Sequence, residues 1–307
     1  MRATIRSGVL VVAKATGMTS FDVVALVRRR LGVRRVGHAG TLDPDATGVL
    51  PILIGEATKL MAYMQEFDKE YVVTVRFGVR TDTLDIGGRV LSTSPVPALD
   101  RERLIKATRP FVGRIKQVPP MYSALHHEGR RLYELAREGV EVPREPRSVL
   151  IQAISVERVD PPQAVLTIVC GKGAYVRSLV ADLGEALGCG AAVAHLVRTR
   201  VGPLEARMAV SSAEVASSPA PALWARVLPP EAALAGWPVV RLEGRAAAAF
   251  LHGQTVTAAP YPPGGARFVA VHAPPSGFLG VGEFLGGRVK PARILHADRP
   301  GPRVLPA

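Results

Sequence analysis

The sequence predicts an α+β protein, and three features carry the prediction. Lys69–Gly78 alternates, with Tyr71, Val73, Val75 and Phe77 on one face and Val72, Thr74 and Arg76 on the other. That is the period of a half-buried strand. Val149–Val159 and Ala164–Cys170 read as the two strands of a hairpin. Thr19-Ser20-Phe21-Asp22 offers capping groups ahead of Val23, Val24, Leu26 and Val27, which predicts a helix to about Arg30.

The other elements follow in chain order. Gly8–Ala13 is a short buried strand, Leu50–Ile54 an apolar run and Glu56–Met64 a helical stretch. Arg80–Gly88 is a largely polar turn before a short strand at Arg89–Ser92. A helix near Asp100–Val112 precedes Gln117–Ala124, a loop because paired prolines disfavour helix. Leu132–Glu138 is one or two helical turns. Gly171-Lys172-Gly173 is a sharp turn, followed by a helix at Ser178–Leu187 that Gly188 ends. His195–Thr199 is an apolar-basic segment. Residues 211–236, rich in Ala, Ser and Pro, read as short helices and a linker. From Trp237 the chain turns to short strands at Val239–Leu242, Phe268–Val271, Phe278–Glu283 and Arg288–Lys290, a small β-rich module.

The 307 residues suit one large domain with a small one, or two domains. Lys and Arg number 39 against 26 Asp and Glu, a formal net charge of +13. That excess favours a polyanionic partner, because neutralising phosphates releases counterions. Residues 101–147 carry 11 Lys/Arg against 6 Asp/Glu and read as an RNA-facing insertion; a solvated charged helix has the same composition. Cys170 and Cys189 fit neither a zinc site nor a CxxC pair and read as buried free thiols. No signal peptide or membrane-length apolar stretch is evident, so a cytoplasmic protein with no membrane association is expected.

Chemistry concentrates in the run Gly37–Leu50, with Arg28, Arg29, Arg30, Arg34 and Arg35 just upstream. The first three suit the C-terminal end of a helix, where the dipole favours cations. Arg34 and Arg35 lie beyond it. Asp43 stands between Leu42 and Pro44, and the proline narrows its geometry. An Asp-Pro pair is commonly just a turn, yet a nucleophilic carboxylate needs the same preorganisation. Gly40 and Gly48 either admit a ligand or make turns. The glycine spacing is no dinucleotide fingerprint, no P-loop or HExxH exists, and no metal site is expected. A glycosidase pair of Asp43 with Asp45 or Asp85 stays open at this point.

Four ordered blocks resemble the TruB-type tRNA pseudouridine synthases. They are Gly37–Ile52 with Gly55–Lys59, Lys69–Tyr71 with Gly78–Asp85, Gln117–Ala124, and Gly171–Leu179 with Asp182–Gly184, collinear over roughly residues 8–205. The chain departs from the family at Ala13 and Ala15, which flank Lys14 where Asp and Pro are usual. Val197 also stands where an arginine is more familiar. Residues 237–307 resemble, more weakly, the PUA module.

The resemblance implies a pseudouridine-synthase catalytic domain at 1–210 around a central mixed, mostly antiparallel sheet with its site in a cleft. A linker at 211–236 and a small β-barrel-like PUA domain at 237–307 would complete the chain. It implies cofactor-free isomerisation of uridine to pseudouridine at position 55 of the tRNA T-loop. Asp43 would be the nucleophile, Arg177 its charge partner, and Tyr71 the ring stacked on the base and an acid/base group. His38 would meet the flipped nucleotide, Tyr175 would hydrogen-bond near the pocket, and Leu196 would cover the base. Lys14, Arg34, Arg35 and the 101–147 insertion would bind phosphates. The partner would be tRNA, through its T stem-loop and, by the C-terminal module, its acceptor stem. A monomer with no required protein partner is expected. A guide-dependent rRNA pseudouridylase and a noncatalytic tRNA chaperone are the alternatives.

Overall fold

The computed structural model describes residues 6–123, 125–258 and 266–296. Ala124, at the end of the third block, and the 297–307 end of the C-terminal module lie outside the described residues. The chain forms two compact units that interleave in sequence: 1–44, 48–65 and 201–307 in the first, 45–47 and 66–200 in the second.

In the first unit the strand Gly8–Lys14 is central. It pairs antiparallel with Thr47–Ile54, from Gly8 opposite Ile54 to Lys14 opposite Gly48. On its other side it pairs parallel with Val210–Ser211, Val12 opposite Val210. Helix Ser20–Leu31 covers this layer. The Thr19 hydroxyl accepts from the Asp22 N–H, and the Asp22 carboxylate accepts from the Thr19 N–H at 2.8 Å. This reciprocal cap satisfies two donors that a helix start leaves open. Val23, Val24, Leu26, Val27 and Leu31 bury one face against Leu10, Val12, Leu50, Ile52 and Ile54.

Residues 211–236 are packed rather than strung out. Helices Ser212–Ser217 and Ala220–Ala225 place Val215 and Leu223 in the same core. Glu56–Met64 is a 3-10 turn, Gly55–Leu60, running into the helix Met61–Gln65. The C-terminal module is a curled half-barrel sheet. Its strands run in the order Val239–Arg241, Phe268–Ala273, Gly277–Leu285, Arg288–Ile294, Val256–Thr257. Val240, Phe250, Val269, Val271, Leu279 and Val289 fill its core.

The second unit carries a sheet in the order Ala191–Val201, Lys69–Phe77, Gln163–Cys170, Arg147–Asp160, Gly113–Gln117. The alternation at 69–77 is realised: Val73, Val75 and Phe77 are buried, and Tyr71 packs on the same core. Tyr71 lies opposite Ile168, and Lys69 opposite Cys170. Helix Val176–Ala186 sends Leu179, Val180 and Leu183 into this core.

Two segments differ from expectation. His195–Thr199 is the middle of a strand, its period masked by Arg198, which is itself buried. Within the 101–147 segment, expected to face RNA, residues 101–117 also build core and sheet edge. Leu104 of helix Arg101–Thr108 is fully buried in the core, and Gly113–Gln117 pairs with Arg147–Ile151 at the sheet edge. Among the described residues no helix is long and apolar enough to cross a membrane.

Candidate active site

The first unit carries Lys14, His38 and Asp43. The turn around Asp43 is held on both sides of the carboxylate. Before it, the Ser20 hydroxyl accepts from the Leu42 N–H at 2.9 Å and donates to the Leu42 carbonyl at 3.1 Å. After it, the Pro44 carbonyl accepts from the Gly17 N–H at 3.0 Å and from Lys14 Nζ at 2.9 Å. Gly40 and Gly48 bracket the turn at φ 88° and 101°, conformations that a side chain resists. Asp43 is half-buried while Leu42 is buried, so the apolar neighbour anchors the turn.

Lys14 corrects the expectation that it binds phosphate. It is 1% exposed, and its ammonium donates to the carbonyls of Ala15 at 3.0 Å, Met18 at 2.7 Å and Pro44 at 2.9 Å. A cation spent on main-chain oxygens inside the fold ties the Gly17 turn to the Asp43 turn. The upstream arginines are also partly engaged within the unit. Arg28 donates to the Val36 carbonyl at 3.4 Å, Arg30 to the Ser218 carbonyl at 2.5 Å, and Arg35 pairs with Glu56 at 3.1 Å.

His38 ends the strand Val36–His38, opposite Ile52. Its ring meets Phe21 edge-on, with centroids 5.5 Å apart. Phe21 is 64% exposed. In the sequence Phe21 stands inside a capping segment, and its signal is a large apolar residue off the buried stripe of its helix.

The second unit carries Tyr71, Tyr175, Arg177 and Leu196. Tyr175 and Arg177 sit together at the start of helix Val176–Ala186. Arg177 is buried and donates to the carbonyls of Thr83 at 3.0 Å and Tyr122 at 2.7 Å, so its fork spans two loops. Ser178 donates to the Val118 carbonyl at 2.9 Å. The buried Gln117 amide bonds both the N–H and the carbonyl of Tyr175, at 2.8 and 3.0 Å. Gln117 and Ser178 escaped the sequence reading as site supports, because nothing local in a sequence shows a bond across 58 residues. Tyr71 and Leu196 are half-buried and lie against one core.

Charge is also buried beside Tyr71. Desolvation, then the Arg198 cation, brings the Lys69 ammonium down to about 8. Burial pushes the Cys170 thiol up to about 11, so it is no thiolate nucleophile. Among the described residues no group of three His, Cys, Asp or Glu side chains is placed to hold a metal.

The chain matches the model of the TruB family pseudouridylate synthase N-terminal domain over residues 28–176. It matches the tRNA pseudouridylate synthase B C-terminal domain over 177–235 and the pseudouridine synthase II TruB C-terminal domain over 238–295. A tRNA pseudouridine synthase B of Stutzerimonas stutzeri is 42% identical over 297 residues, covering 95% of this chain and 96% of that one. The chain belongs to the TruB family.

A second TruB relative, the tRNA pseudouridine synthase B of Symbiobacterium thermophilum, is 49% identical over 249 residues, 80% of this chain and 82% of its own. TruB membership makes the chain a pseudouridine synthase, an isomerase, and the Asp43 run lies inside the matched N-terminal domain. The fold also resembles a solved Cbf5-Nop10-Gar1 complex, with TM-score 0.74 at 24% identity, covering 94% of this chain and 84% of that one. An archaeal box H/ACA Nop10-Cbf5 complex gives TM-score 0.74 at 22% identity, over 98% and 90%. That likeness is one of fold.

Proposed function

We propose that this TruB protein isomerises uridine 55 in the T-loop of tRNA to pseudouridine, with Asp43 as the nucleophile. The observation that carries the reading is the double restraint of the Asp43 turn by Ser20 and Lys14. Preorganisation of this kind is what a carboxylate needs to act on a nucleotide taken out of its stack. The relatives' shared activity on tRNA supports the substrate class.

In the reaction the C1′–N1 bond breaks, the uracil turns and a C1′–C5 bond forms; C5 gives up its proton and N1 takes one up, so no atom is gained or lost. Tyr71 stacks on the base and serves as the acid/base group at C5. Arg177 supplies positive charge to the reacting centre. His38, Tyr175 and Leu196 contact the flipped nucleotide, and the C-terminal module meets the acceptor stem. The enzyme works as a monomer without guide RNA.

The test is incubation of the purified chain alone with an unmodified tRNA transcript, followed by pseudouridine mapping. The expected result is one pseudouridine at position 55. Asp43→Asn binds the transcript and makes none. Conversion only after a guide RNA and partner proteins are added, or normal turnover by Asp43→Asn, overturns the reading.

A further inference from the structure

Gln117 ends the strand Gly113–Gln117 and is 2% exposed. Its Cα lies opposite Arg147 at the sheet edge, so its backbone is held by a ladder and not by a loop. Its side-chain Oε1 accepts from the Tyr175 N–H at 2.8 Å, and its Nε2 donates to the Tyr175 carbonyl at 3.0 Å. A primary amide presents an acceptor and a donor on two neighbouring atoms, so each group of Tyr175 meets its own partner. The pair reproduces with a side chain what a neighbouring strand would do with its backbone.

Tyr175 has need of it. It caps the helix Val176–Ala186 in extended geometry, φ −110° and ψ 111°, and no side chain caps the helix there. Fixing the N–H and the carbonyl on either side of its Cα restrains the direction in which its side chain leaves the backbone. The segment that follows is lashed to the same loop: Ser178 to the Val118 carbonyl and Arg177 to that of Tyr122. Gln117 is thus the point from which the sheet edge sets where the helix begins.

We propose that Gln117 is a positioning residue that acts through Tyr175, aiming its ring at the substrate uridine. The inference rests on the substrate-binding role of Tyr175 given above. Misplacement of a contact group by about 1 Å costs on the order of 100-fold in rate.

Gln117→Met keeps the length and removes both bonds. Single-turnover pseudouridine formation by this variant is expected to slow by about 10- to 100-fold. Its tRNA Kd is expected to stay within about threefold and its thermal transition to stay cooperative. In a Tyr175→Ala background the same change costs less than about threefold, because residues that act as a unit are not additive. Rates within about twofold of the parent, or equal losses in the two backgrounds, overturn the proposal. Should Gln117→Met not fold, Gln117→Glu, which keeps the acceptor, is judged by the same two rates. A parent protein that makes no pseudouridine sinks the functional reading itself. An active parent indifferent to Gln117 sinks only this inference.

Discussion

Ser20 holds Leu42 by both of its peptide groups, accepting from the N–H at 2.9 Å and donating to the carbonyl at 3.1 Å. Ser20 is the first residue of helix Ser20–Leu31, and Leu42 precedes the candidate nucleophile. One hydroxyl therefore transmits the rigidity of a capped helix to Asp43. Ser20→Ala leaves a buried N–H without that acceptor and should lower stability by about 1–3 kcal/mol. Turnover should fall by about tenfold while tRNA binding holds, since a loosened carboxylate loses the aligned geometry. Urea titration, single-turnover rates and filter binding check the three parts.

Lys14→Met separates a structural cation from an RNA contact. It removes the donor to three carbonyls and should destabilise the chain by about 2–4 kcal/mol. A lysine on a phosphate would reduce the slope of log K against log salt by about 0.7–0.9. The slope for tRNA binding by Lys14→Met is expected to equal that of the parent.

Arg177→Lys keeps the charge and loses the fork. A single ammonium cannot reproduce the planar, divergent bonds to the Thr83 and Tyr122 carbonyls. A loss of about 1–3 kcal/mol is expected, together with a drop in turnover of at least about tenfold. Denaturant midpoints and single-turnover rates measure both.

Stability should depend on pH in a defined window. Lys69 titrates near 8 in the fold and near 10.5 unfolded. Between pH 8 and 9 the unfolded chain holds a proton that the folded chain has lost, so stability rises with pH, by about 1 kcal/mol. Cys170 works in the opposite sense: its thiol titrates near 9 unfolded and near 11 folded. Above pH 9 the folded chain keeps that proton longer, which offsets the gain and flattens the curve. Urea midpoints at pH 7.5, 8, 9 and 10 should show the rise and the plateau. Lys69→Met should abolish the rise.

Local patterns were legible and long-range ones were not. The Thr19–Asp22 cap and the alternation from Lys69 to Phe77 are written within a few residues, so both read directly. The strand Ala191–Val201 did not, because Arg198 is a buried charge and buried charges break the apolar count. Gly113–Gln117 looked like part of a basic insertion, since its partner, Arg147–Ile151, lies some thirty residues away. At the site, Asp43 stood out through Pro44 and its glycines. Lys14 did not reveal its direction: a sequence gives the charge of a lysine but not whether its end turns inward. The Gln117 bond to Tyr175 depends wholly on the fold.

The strand Gly8–Lys14 carries a consequence for synthesis. Its parallel partner begins at Val210, and Val9 also exchanges backbone bonds with Leu228 at 2.9 and 2.8 Å. A ribosome adding about 5–20 residues per second takes roughly 10–40 s to deliver that partner. Until then an apolar ribbon, Gly-Val-Leu-Val-Val-Ala-Lys, waits on the nascent chain with one edge open to pairing with other chains. Overproduction should be sensitive to chaperone supply and to the speed of translation, even though the finished protein buries every residue of that ribbon but Ala13.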